Sequence, residues 1–257
     1  MMALVTGGSS GIGLEFSRQL AEKGYDLIIV SNSREQLDAV CAPIAEEYGV
    51  RVIPRLQNLA TGNAAEELME WCDSQSVLPD ILINNAGMFY FKELSPELMG
   101  KAEVMIGLHV TTPTKMCILF GDRMKQRGSG RILLVASMAA RIPAPGIQVY
   151  SATKAYLRSF GESLSFELKP YGVTVTTLCP AAVATPLYGL KKGLLNFGVA
   201  IRVIHTTQWL VRKALKGLFR GRRLMKPSIM NAYLPPMIKM LPSNLEQKIW
   251  VRIKVKL

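Results

Sequence analysis

Tyr150 and Lys154 stand four residues apart in the segment YSATK. On a helix that spacing puts both side chains on one face, about one turn apart. An ammonium group held beside a phenol favours the phenolate and lowers the tyrosine pKa from its usual ~10 toward neutrality. Ser137 follows the apolar run Arg131–Ala136 and can hydrogen-bond an oxygen that the tyrosine addresses. An acid/base, a cation that tunes it and a hydroxyl that orients an oxygen are the parts of a proton-transfer site. A tyrosine and a lysine on a solvated helix surface would show the same spacing, so the other elements must decide.

The N-terminal half supplies a frame for such a site. Ala3–Thr6 reads as a short strand, followed by TGGSSGIG (Thr6–Gly13) and an amphipathic helix that ends at Gly24. A strand, a glycine turn and a helix N-terminus make a phosphate cradle, because glycines allow close backbone approach and the first N–H groups receive negative charge. The spacing departs from the commoner GxGxxG, and such glycines also serve as a plain tight turn. Strand Asp26–Ser31, helix Arg34–Glu47, strand Val50–Leu56, helix Thr61–Gln75 and strand Asp80–Ile83 follow, the last leading into NNAG (Asn84–Gly87). This alternation predicts an α/β fold, a Rossmann-like doubly wound parallel sheet in three layers. The second strand ends in Ser31, Asn32, Ser33 and Arg34, with no acid before Glu35. An acid there would bind a ribose hydroxyl, whereas hydroxyl and basic groups accept a 2′-phosphate, which favours NADP(H) over NAD(H). A solvated helix cap explains the same residues equally well. Met88–Phe91 reads as a substrate wall or as core. Pro96–Arg127 is mostly helical, Val149–Leu168 a long helix, and Val173–Cys179 a further strand leading into PAAVATP.

With 257 residues, 49% of them hydrophobic, the chain can bury a sizeable core. Cys41, Cys72, Cys117 and Cys179 are scattered and read as reduced packing residues, so neither disulfides nor a metal site is expected. The start enters an apolar run without a basic region or a small-residue cleavage site, and no stretch nears ~20 uninterrupted apolar residues. These features predict a cytoplasmic protein. The net charge of +12 is uneven: residues 191–257 carry 15 lysines and arginines against one acid, Glu246, and the first 190 residues sum to −2.

TGGSSGIG, NNAG, Ser137, YSATK and CPAAVATP, in this order and at these separations, resemble the short-chain dehydrogenase/reductase family over roughly residues 2–190 and a helix near 206–220. The resemblance implies an oxidoreductase that moves a hydride between a nicotinamide and a carbonyl or secondary alcohol. It implies that Gly7, Gly11 and Gly13 form the cofactor turn with Ser9, Ser10 and Ile12 beside it, with Asn32 and Arg34 at the 2′-phosphate. Asn58 and Leu59 would lie near the adenine, Asn85, Ala86 and Gly87 along the adenine-ribose side, and Pro180, Val183 and Thr185 by the carboxamide. Tyr150 would be the general acid or base, Lys154 would hold the ribose and depress the tyrosine pKa, and Ser137 would orient the substrate oxygen. Family members commonly pair through the helices matching Pro96–Arg127 and Val149–Leu168, which implies a homodimer or homotetramer. Three positions depart from the family pattern. Asn58 stands for an aspartate and Ala181 for a glycine, and His109 stands where an asparagine usually anchors a water in a proton relay. A lone helical histidine is often a packed residue, but imidazole can also donate, accept and titrate near pH 6.5, so His109 is expected to serve the relay.

The domain is expected to span 1–226, with a substrate loop at about 187–205 and a basic, apolar extension at 227–257. An amphipathic helix is expected at Gly198–Gly217, and further apolar stretches, Met230–Met240 and Leu245–Leu257, separated by Pro235, Pro236 and Pro242. The favoured reading of this part is structure lying on the domain with a solvated basic edge. The other is weak contact with an anionic membrane surface, which suits apolar, Trp-containing, Lys/Arg-rich pieces. Basic residues interleaved with aliphatics lack a nucleic-acid reader motif, so no nucleic acid is expected. The substrate is expected to be a small apolar carbonyl or alcohol, with an acidic end near Lys191 or Lys192. The contrasting function is a cofactor-binding sensor or scaffold of the same fold with little turnover.

Overall fold

The computed structural model describes residues 1–142, 144–185 and 204–254. Strands β1 (Met2–Thr6), β2 (Asp26–Ser31), β3 (Val52–Leu56), β4 (Ile81–Asn84), β5 (Gly130–Val135), β6 (Val173–Leu178) and β7 (Leu224–Met225) form one sheet in the order β3-β2-β1-β4-β5-β6-β7, every pair parallel. The helices are α1 (Gly11–Ala21), α2 (Arg34–Tyr48), α3 (Ala64–Ser74), α4 (Met99–Ile106), α5 (Thr112–Arg127), α6 (Gln148–Leu168), α7 (Thr207–Phe219), α8 (Met230–Lys239) and α9 (Ser243–Lys254).

Strands β1, β2, β4 and β5 carry continuous apolar runs because helices cover both faces of the sheet. Alternate residues serve opposite layers. Leu4, Ile28, Val30, Leu82, Ile132 and Leu134 pack with Leu68 of α3, Phe120 of α5 and Leu157 of α6. Their neighbours Val5, Leu27, Ile29, Ile83 and Leu133 pack with Phe16 and Leu20 of α1, Leu37 of α2 and Leu215 of α7. This is the expected doubly wound, three-layer sheet. The strand order reverses between β1 and β4, and a crevice opens at their carboxyl ends.

The helical run from Pro96 to Arg127 is not uniform. A 3-10 turn (Pro96–Leu98) and α4 lead into a π-helical turn, Gly107–Thr111, before α5. Pro113 has no N–H to give the carbonyl of His109, four residues back, and the helix widens where that bond is missing. Among the described residues this run alone is long and apolar enough to cross a membrane by length and composition. It lies against the sheet, with Met105, Met116, Phe120 and Met124 buried.

The C-terminal part differs from expectation in three ways. The helix expected over Gly198–Gly217 begins at Thr207, capped by Thr206, whose hydroxyl accepts the Trp209 N–H at 3.2 Å. Just before it, His205 bridges Val183: its N–H donates to Ala182 O at 3.0 Å and its carbonyl accepts from Ala184 N–H at 2.9 Å. That tertiary pairing outweighs the helical period of the sequence. Residues 198–203, most of the expected substrate loop, and Lys191 and Lys192 lie outside the described residues. β7 was too short to leave a period, yet it extends the sheet beside β6. Finally, Pro235 and Pro236 lie inside α8 and do not separate segments. Pro235 cannot donate to the Asn231 carbonyl, and Arg141 does so in its place, Nη1 to O at 2.9 Å.

Candidate active site

The cofactor turn is built on backbone that only glycine enters easily. Gly7 and Gly11 have φ of +60° and +53°. At Gly13 the constraint is packing: an added Cβ would sit 2.0 Å from Gly7 O and 2.5 Å from Asn85 Nδ2. Ser17 ties α1 down through its hydroxyl, which donates to Gly8 O at 3.1 Å. Ser10, the residue before α1, makes no side-chain cap, so the first-turn N–H groups face the crevice without a competing side-chain acceptor.

Thr6 joins this turn to NNAG. Its hydroxyl donates to Ile83 O at 3.1 Å and accepts the N–H groups of Asn85 at 2.9 Å and Ala86 at 3.0 Å. Asn85 Nδ2 donates back to Thr6 O at 3.0 Å. The carboxyl ends of β1 and β4 are thereby locked together by groups from both motifs. The motif alone assigns Thr6 no role; its place as the last residue of β1 is the sequence signal for one.

At the end of β5, Ser137 accepts the Ala139 N–H at 3.1 Å and caps a 3-10 turn, Met138–Arg141. Its hydroxyl hydrogen remains for another acceptor. Met138 N–H donates to Pro180 O at 2.7 Å, tying this turn to the residues after β6. Ala181, where the family has glycine, is no strain, because Ser76 alone among the described non-glycine residues has positive φ.

Tyr150 and Lys154 lie one turn apart on α6, both buried. The Lys154 ammonium sits 5.7 Å from the Tyr150 ring centroid and donates to Val135 O at 2.9 Å. Burial lowers its pKa to about 8. The Tyr150 ring meets Phe89 edge-on, centroids 5.0 Å apart, and His109 at 5.8 Å.

His109 is 1% exposed, and both its nitrogens are taken. Nε2 accepts the Met88 N–H at 3.0 Å, which requires the proton on Nδ1, and Nδ1 lies 3.0 Å from Thr153 Oγ1. Thr153 O–H donates in turn to Tyr150 O at 2.9 Å. Burial first, and the nearby Lys154 charge second, hold the imidazole pKa well below 6.5. A protonated ring would face the Met88 N–H with a second donor. The neutral imidazole has neither proton nor lone pair left for a relay water, and its geometry is that of a spacer between Gly87-Met88 and α6. A Cβ on Gly87 would lie 2.9 Å from Nε2, so the glycine admits the ring. Sequence spacing alone gives Thr153 no role, although it sits about one turn from Tyr150 on α6.

A cavity of about 390 Å³ gathers most of the expected residues: Gly7, Ser10, Gly11, Ile12, Asn85, Ala86, Gly87, His109, Ser137, Tyr150, Lys154, Pro180, Val183 and Thr185 all line it. Ser9, Gly13, Asn32, Arg34, Asn58 and Leu59 do not. Gly13 and Ser9 act from behind, the Ser9 hydroxyl lying 2.8 Å from Ser31 Oγ and donating to Gln36 Oε1 at 2.9 Å. Asn58 is exposed, its Oδ1 accepting the Ala60 N–H, and Leu59 is core. Gln36 and Met88 also reach the cavity. Gln36 has no motif signal and is placed by the first turn of α2. The four cysteines are buried thiols, and burial pushes Cys72 and Cys117 up to about 12, which suits packing and not nucleophilic work.

The chain matches the short chain dehydrogenase family model over residues 1–192. It is 31% identical over 197 residues to the very-long-chain 3-oxoacyl-CoA reductase of Bos taurus, covering 74% of this chain and 62% of that protein. It is likewise 31% identical over 196 residues to hydroxysteroid dehydrogenase-like protein 1 of Gallus gallus, covering 74% and 58%. The chain thus spans about three-fifths of the length of the curated relatives it matches. Among solved structures, a short-chain dehydrogenase from Sphingobium yanoikuyae in complex with NADPH superposes with a TM-score of 0.79 at 27% identity, covering 94% of this chain and 96% of that one. With the glycine turn, the NNAG clamp and the Ser-Tyr-Lys cluster on one crevice, these matches place the chain in the short-chain dehydrogenase/reductase family.

Proposed function

We propose that this protein is an NADP(H)-dependent oxidoreductase acting on a carbonyl or secondary alcohol carried by an apolar molecule. The observation that carries the reading is the convergence of Ser137, Tyr150 and Lys154 on the cavity that also holds the glycine turn. A nicotinamide dinucleotide fits these residues: Gly7 and Gly11 line the cavity with backbone that lacks a Cβ, and α1 offers its N-terminus to a pyrophosphate. Ser9, Ser31 and Gln36 form an uncharged polar group at the end of β2, and the NADPH bound in the Sphingobium protein agrees with a phosphate-bearing ribose there. When bound, the nicotinamide supplies or accepts the hydride.

The chain's own residues do the proton work. Ser137 O–H donates to the carbonyl oxygen and orients it. Tyr150 gives that oxygen its proton when a carbonyl is reduced, and takes the proton from an alcohol in the reverse direction. The Lys154 ammonium stabilises the phenolate left behind. His109 is a positioning residue: through Thr153 it fixes the first turn of α6, and through Met88 the floor beside it. Met88 gives the cavity an apolar lining, Phe89 packs edge-on against the Tyr150 ring, and the 3-oxoacyl chain named for the bovine relative is a substrate of that character. Exposed Val104, Ile118 and Phe166 on α4, α5 and α6 support pairing of two copies through these helices.

NADPH oxidation monitored across a panel of ketones and 3-oxoacyl thioesters tests the reading, with Tyr150→Phe as the control. Turnover that vanishes in the control is expected. Tight NADPH binding without oxidation of any panel member would overturn it in favour of a sensor or scaffold.

A further inference from the structure

Helix α8 shows solvent a face that a soluble surface rarely carries. Ile229, Tyr233, Met237 and Met240 are 72%, 63%, 62% and 83% exposed, so each presents most of its side chain. Spaced at i, i+4, i+8 and i+11, they fall within one narrow arc of the helix. Leu241 and Leu245 continue the exposed apolar surface into α9. Four large apolar side chains in a row are a patch, whereas single exposed ones need no explanation.

The inner side of α8 is fixed to the domain. Asn231 is buried and donates from Nδ2 to Cys179 O at 3.1 Å, and its own carbonyl accepts from Arg141. Ser228 is buried beside it. The apolar row is therefore held outward by polar bonds on the opposite side, and the helix cannot roll over to bury it without breaking them.

Charge decides what the row meets. Exposed Lys226 precedes it, and exposed Lys248 and Arg252 share a face of α9 with Leu245 at i, i+3 and i+7. Across residues 191–257 there is one acid for 15 lysines and arginines. A second copy would bring the same positive charge against itself. A surface that is apolar within and negative at its rim matches both features, and an anionic lipid bilayer has that construction.

We infer that α8, with the start of α9, is an interfacial docking element that lies in the headgroup region of an anionic bilayer. Ile229, Tyr233, Met237 and Met240 enter the acyl boundary, and Lys226, Lys248 and Arg252 meet the headgroups. Asn231 and Arg141 couple this helix to Cys179 and to the turn after Ser137, so docking holds the crevice next to the lipid. That consequence for an apolar substrate rests on the proposed oxidoreductase reading, whereas docking itself does not.

Flotation of the full chain tests it, using phosphatidylcholine vesicles and vesicles of phosphatidylcholine with phosphatidylserine, at low and high salt. The wild type is expected to float at least ~10-fold more with the anionic vesicles, and less as salt screens the charges. Tyr233→Ser/Met237→Ser is expected to stay with the soluble fraction while keeping its Tm and NADPH binding. Lys248→Glu/Arg252→Glu is expected to lose the preference for anionic vesicles. Absence of wild-type flotation on either vesicle would overturn the inference, as would equal flotation of the serine variant. A sedimentation change from dimer to monomer in the serine variant, without wild-type flotation, would assign the row to a second copy instead.

Discussion

The crevice and the C-terminal helices bury opposite things. Around Tyr150 the structure hides polar groups: Thr6, His109, Thr153 and Lys154 are all buried, and each is hydrogen-bonded inside the domain. On α8 it exposes apolar groups while burying the polar Asn231. The first arrangement is costly unless every donor and acceptor is met, so it specifies one geometry. The second costs stability in water, and is retained where another surface completes it. The difference separates a region whose order comes from inside the chain from one whose apolar side is addressed to something outside it.

The strongest way to break this contrast is at the crevice. Tyr150→Phe keeps the ring's edge-on contact with Phe89 and removes the proton donor, so kcat is expected to fall by about 10²–10⁴-fold with an unchanged Tm. A fall in both would make Tyr150 a structural residue. Gly13→Ala comes next. Its Cβ must displace the backbone of Gly7, which is expected to cost about 1–3 kcal/mol in denaturant unfolding and to abolish NADPH fluorescence quenching.

His109→Ala strands the Met88 N–H and removes the donor to Thr153 Oγ1, whose own O–H keeps its bond to Tyr150 O, for an expected loss of about 1–3 kcal/mol. The pH dependence has a defined sign. The folded pKa is depressed, so the neutral ring contributes its full stability above the unfolded value of about 6.5. As the pH falls below that value, the unfolded chain takes a proton that the folded chain refuses, and stability is lost. His109→Asn can donate and accept without titrating. Its Tm is expected to fall less than the wild type's between pH 7 and 5.5, and equal slopes would sink the neutral-histidine account. The other histidine, His205, is depressed as well but is common to both proteins. The smallest effect is expected on α8, where Tyr233→Ser and Met237→Ser each change unfolding free energy by within about 0.5 kcal/mol. A larger loss would mean that these side chains pack on the domain and are not turned outward.

Much of this molecule was written locally. Ser31, Asn85, Ser137, Tyr150 and Lys154 each stand at a strand end or one helical turn apart, and such positions follow from period 2 and period 3.6 alone. The sheet was legible because both its faces are buried, which leaves unbroken runs such as DLIIV and RILLV. The proline pair in α8 and the two-residue β7 misled or escaped the same reasoning. Neither is governed by its neighbours in sequence: one is satisfied by Arg141, the other by β6.

By itself, then, the sequence determined the fold, the family and the identity of the Ser-Tyr-Lys cluster, because ordered motifs on strand ends admit one arrangement of a parallel sheet. It left the state of His109 and the facing of α8 undetermined. Those were decided by tertiary structure, since a histidine's tautomer and a helix's exposed side depend on partners more than twenty residues away: Met88 and Thr153 for the ring, Cys179 and Arg141 for the helix.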